Sequence, residues 1–145
     1  MPSPKDKYAN NADAWLANGS IFSRASKILF EQGDPFLFFP AALLGHQALE
    51  MLLKAALIRS GPRVGRGDVW GHELVVLAQR LTAPGRISLP NLFFEVAKNF
   101  DGFFSELRYP REIESVQGLG TDDGWHLDWA VGVILPYARP SKAPA

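Results

Sequence analysis

Cysteine is missing from all 145 residues, and with it go disulfides, zinc–thiolate centres and thiol nucleophiles. Charge of either sign is not in excess: 15 basic side chains face 15 acidic ones, for a formal net charge of zero. A protein that holds nucleic acid by general phosphate neutralisation needs a basic surplus, so only a local basic patch stays open. The N-terminal MPSPKDKYANN lacks the apolar centre of a signal peptide. No uninterrupted apolar run reaches the roughly 18 residues of a membrane span. A β pattern is absent as well, since Val75-Val76 and Ile87-Ser88-Leu89 are too short to found a sheet. Together these absences point to a chain in a reducing, cytoplasmic setting with no membrane partner.

What the sequence does have is helical periodicity cut by proline and glycine. With 47% hydrophobic residues, the length suits one domain with a core of its own. A first helix is expected from Asn10 to about Gln32, loosened at Gly19-Ser20 and ended by Gly33-Asp34-Pro35. A second opens near Pro35, or at Pro40 if that proline takes a first-turn position, and stops at Gly61-Pro62. The third is GHELVVLAQRL, Gly71 to Leu81, and the fourth runs from Leu89 to Leu107 with five phenylalanines read as core. The fifth follows Asp122-Asp123, a good N-terminal pair, and reaches Pro136 before a frayed PYARPSKAPA. The expected fold is all-α, a four- to five-helix up-and-down bundle over 10–137. Residues 1–9 and 138–145 are expected to be flexible ends.

The second helix raises the sharpest question. Turning about 100° per residue puts His46 in a stripe with Phe39, Ala42, Leu49, Leu53 and Leu57. Leu44, Ala48, Met51, Ala55 and Ile58 form a second stripe opposite, leaving a narrow polar sector with Gln47 and Lys54. Such a helix must be covered on both sides, either at the centre of its own bundle or by a second copy of the chain. The polar residues within it need partners: Glu50 could pair with Lys54, Arg108 or His46. His46 and Glu50 also have i,i+4 ligand spacing, but the chain offers too few inward carboxylates for a metal site. No metal or cofactor is expected.

Three blocks in order, HQALEMLLKAALIRSG (His46 to Gly61), GHELVVLAQRL (Gly71 to Leu81) and LRYP (Leu107 to Pro110), resemble the HEPN domain. That family of helical bundles takes its name from "higher eukaryotes and prokaryotes nucleotide-binding". The resemblance spans roughly residues 10–137. It implies a dimerising bundle of toxin–antitoxin or defence systems, often beside a minimal nucleotidyltransferase. His46, Glu50 and Lys54 match the polar positions of its second helix, His72 the histidine opening the third, and Arg108-Tyr109-Pro110 the turn before the last.

The expected function is a binding module, a homodimer through helix two that takes nucleotide, RNA or a nucleotidyltransferase partner. The polar cleft would comprise His46, Glu50, Lys54, Arg108 and Tyr109. The alternative is a metal-independent endoribonuclease using Arg66 and His72, the formal match RGDVWGH to the family's Arg-x4–6-His motif. Gly67 stands there in place of the expected polar neighbour, and the match precedes helix three rather than the last helix. In that role a histidine moves the proton and an arginine steadies the phosphate.

Overall fold

The structure, a computed structural model, describes residues 11–61, 71–85, 87–107 and 119–140. Among these residues five helices appear in order: α1 (Ala12–Glu31), α2 (Pro35–Arg59), α3 (Leu74–Thr82), α4 (Asn91–Leu107) and α5 (Thr121–Ala138). No strand occurs among the described residues. The architecture is an all-α bundle, and α2 touches each of the other four helices. Gly19 of α1 lies against Leu52 while Ser26 reaches Ala41, so α1 and α2 run antiparallel.

Local chemistry sets most boundaries. Asn11 and Asp34 accept from Ala14 N–H and Phe36 N–H and so cap α1 and α2. α2 begins at Pro35 and continues through Pro40, rather than starting there. The carbonyl that Pro40 leaves without its helical partner belongs to Phe36, in an exposed first turn where such a loss costs least. Pro136 is likewise inside α5, so Pro136 to Ala138 belong to the helix rather than to a frayed end. Ala138 is buried, and its carbonyl accepts from Arg59 Nε at 2.6 Å while the same guanidinium pairs with Asp13.

Within one chain the stripe that holds His46 is largely covered and the opposite stripe is covered in part. Ala48, Leu49, Leu53 and Ala55 have no exposed surface, and Met51 and Ile58 are half-buried. By length and composition alone α2 would suffice to cross a membrane, yet half of its most apolar stretch is buried inside the bundle. Gly19 does not loosen α1: it is buried and lets Leu52 approach to 3.0 Å from where a Cβ would stand.

Gly45 plays the same part more tightly. A Cβ there would sit 2.8 Å from Leu127 Cδ2, 2.9 Å from Phe100 Cε1 and 3.1 Å from Ser26 Oγ, atoms of α5, α4 and α1. All three neighbours are themselves buried and have little room to yield. Gly45→Ala should introduce about 1–3 kcal/mol of overpacking strain. The gain in helix propensity, about 1 kcal/mol, offsets only part of it. A lower urea midpoint with an unchanged slope is the expected result.

The start of α5 carries a titratable device. Asp123 is buried and accepts from Gly120 N–H at 2.7 Å. Burial raises its carboxyl above the ordinary range; the Gly120 N–H and His126 oppose that rise, and Asp122 adds to it. The folded state therefore binds the proton more readily than the unfolded chain. The resulting penalty is complete above the folded value and is relieved as pH falls through it. Asp123→Asn should be most favourable relative to wild type near neutrality, with its advantage shrinking towards about pH 3–4 in urea unfolding series.

Candidate functional site

The polar residues of α2 divide between two sets of partners. His46 is wholly buried, and its Nε2 lies 3.0 Å from Asp101 Oδ1 on α4. A carboxylate only accepts, so Nε2 carries the proton and donates. The imidazole stacks on Phe104, with centroids 4.2 Å apart and planes 10° from parallel. Its Nδ1 is buried and has no hydrogen-bond partner among the described residues, so with the proton on Nε2 a bare lone pair stands there rather than an unmatched N–H.

Asp101 does more than hold His46. Its Oδ1 also accepts from Leu74 N–H at 2.8 Å, and its Oδ2 from Val75 N–H at 3.1 Å. These are the first two residues of α3, whose amides have no partner within their own helix. Glu73, at the N-cap, makes no capping bond with its side chain. The cap of α3 is thus supplied from α4, across 27 and 26 residues of sequence. One carboxylate joins α2, α3 and α4.

Glu50 and Lys54 face another way. Lys54 is buried rather than lying in a solvated polar sector, and its Nζ donates to Glu50 Oε2 at 3.0 Å. The ammonium also sits 5.0 Å from the Trp15 ring centroid, a cation–π contact from α1. Glu50 Oε1 lies 3.0 Å from His72 Nδ1. Of the partners expected for Glu50, Lys54 is found and His46 turns instead to Asp101; His72, expected near the same cleft, takes the other oxygen. His46 and Glu50 share no partner in these bonds, and among the described residues no group of three or more acidic or histidine side chains is placed to hold a metal ion.

His72 precedes α3 rather than lying in it, and its side chain is 71% exposed. Together with Glu73 it lines two open hollows, one larger than the other. The described lining of the larger adds Asp101, Phe104 and Ser105; the smaller adds Gly71, Val76, Leu77 and Arg80. The structure therefore brings together Glu50, Lys54 and His72, and pairs His46 separately with Asp101, both histidine rings lying beside Phe104. Arg66, Arg108 and Tyr109 lie outside the described residues. His126 is exposed on α5.

Sequence reasoning passed over Asp101 and assigned Phe104 to the core. One signal was present: Asp101 is the carboxylate inside NFDGFF, interrupting a run of phenylalanines on α4. Phe93 and Phe100 are indeed fully packed, whereas Phe104 is only half-buried and forms the floor under His46. No family model, curated protein or solved structure matches the chain.

Proposed function

We propose that this chain is a HEPN-like helical-bundle binding module whose ligand-facing end is the cleft at the start of α3. One observation carries the reading: two sequence blocks, HQALEMLLK and GHEL, meet through the Glu50–His72 contact at 3.0 Å beside that cleft. The buried His46, Glu50 and Lys54 and the half-buried, capping Asp101 are occupied with one another and with backbone. Of the described residues in that network, His72 is the one whose side chain is mostly open to solvent. Nucleotide or RNA is the proposed ligand, with a minimal nucleotidyltransferase as the proposed protein partner. A cytoplasmic homodimer in a toxin–antitoxin or defence setting completes the reading.

Its second form is a metal-independent endoribonuclease, favoured by the exposure of His72 and its carboxylate partner. A histidine held in this way resembles the oriented base of acid–base catalysis.

A thermal-shift series with nucleotides and short RNAs tests binding. A ligand at one hundred times its Kd adds about 2.7 kcal/mol, which raises the melting point by roughly 5–10 °C for a domain of this size. His72→Ala should abolish that shift while changing the melting point of the free protein little, because an exposed ion pair contributes about 0–1 kcal/mol. A flat series across nucleotides and RNA counts against the nucleotide reading. Cleavage of mixed RNA by wild type and not by His72→Ala would establish the enzyme.

A further inference from the structure

Glu50 already has a counter-ion in Lys54, buried beside it, so neutralising its charge does not require His72. Nor does stability account for the second contact, since a pair whose histidine is 71% exposed is screened by water and gains little. The contact has a chemical consequence instead. Glu50 Oε1 can only accept, so His72 Nδ1 must carry the proton. A neutral imidazole has one N–H, and Nε2 is then a bare lone pair. Left alone in water, a histidine side chain favours the opposite tautomer, with its proton on Nε2.

We propose that His72 is the proton-accepting group of the cleft, with Glu50 as the positioning residue that fixes its Nδ1–H tautomer. Nε2 then receives a hydrogen bond from a hydroxyl or N–H of the bound ligand. Lys54 holds the other oxygen of Glu50 and so fixes which way the carboxylate faces. The ligand half of this proposal rests on the binding-module reading; the tautomer half rests on geometry alone.

The test is nitrogen-15 NMR of the histidine ring in the full chain, at a pH where the ring is neutral. The expected spectrum shows a protonated Nδ1 and an unprotonated Nε2 for His72. In Glu50→Gln the Lys54 ammonium retains the amide oxygen, which turns the NH₂ towards His72 Nδ1. The ring must then accept at Nδ1, and its proton moves to Nε2, inverting the pattern. A wild-type ring protonated mainly on Nε2 overturns the proposal, and that spectrum decides even if Glu50→Gln does not fold.

Adding adenosine monophosphate or a short single-stranded RNA should then move the His72 Nε2 resonance more than Nδ1. If neither probe moves it while the wild-type tautomer is as assigned, the ligand contact fails together with the nucleotide reading. The tautomer assignment stands in that case.

Discussion

Removing the Asp101 carboxylate should cost about 2–4 kcal/mol, a large share of a typical domain's stability. In Asp101→Ala, three donors lose their acceptor at once: the N–H groups of Leu74 and Val75 and Nε2–H of His46. Loss of a helix cap by itself costs about 0.5–2 kcal/mol. A buried donor left unmatched adds about 1–3 kcal/mol, and the His46 ring has no exposed surface through which water could substitute. The Asp101 side chain is 21% exposed, so water relieves part of the loss at the α3 end and the two costs do not sum to their maxima. Asp101→Asn keeps one strong acceptor oxygen for three donors and should fall between wild type and alanine. Equilibrium urea unfolding measures both; a loss below about 0.5 kcal/mol for alanine would mean the three bonds do not hold in solution.

The second large effect is a reversal. Glu50→Leu leaves the Lys54 ammonium buried without its carboxylate, and breaking a buried pair from one side costs about 3–5 kcal/mol. The Trp15 ring tempers that cost, since a desolvated cation–π contact is worth about 0.5–2 kcal/mol. Lys54→Met is expected to be milder, because Glu50 retains His72. The double variant Glu50→Leu/Lys54→Met removes both charges and fills the space with apolar atoms. It should therefore be more stable than Glu50→Leu alone, with a coupling energy of about 2 kcal/mol or more across the cycle. Additive single losses would contradict the buried pair. The double variant also separates two roles, because it should fold while leaving the His72 ring unheld.

The sequence displays clearly whatever is local. Asp34-Pro35 and Gly61-Pro62 mark the ends of α2, and the four-residue spacing of His46, Glu50 and Lys54 signals polar residues that need partners. That α2 needs cover on both sides follows from its two apolar stripes. What covers it does not, because the same pattern suits a central helix or a dimer face. Asp101 is the clearest case of hidden information. Its role exists only once α4 is laid against the start of α3, 26–27 residues away in the chain. Nothing in the local run NFDGFF specifies that contact. The Glu50–His72 contact is hidden for the same reason, being a meeting of two blocks 22 residues apart. The positions of Lys54 and Gly19 misled for a simpler cause: lysine reads as solvated and glycine as loose, until Trp15 and Leu52 pack over them.

The bracing role of this polar cluster is most directly tested by native-state hydrogen exchange at two amides, Leu74 and Val75. First-turn amides of a helix have no partner in that helix and ordinarily exchange at loop rates. With Asp101 bonding both, their exchange should be slowed towards that of the α2 core amides, and Asp101→Asn should release at least one of them selectively. Loop-rate exchange at both positions in the wild-type protein would contradict the cap and, with it, the carboxylate that joins α2, α3 and α4.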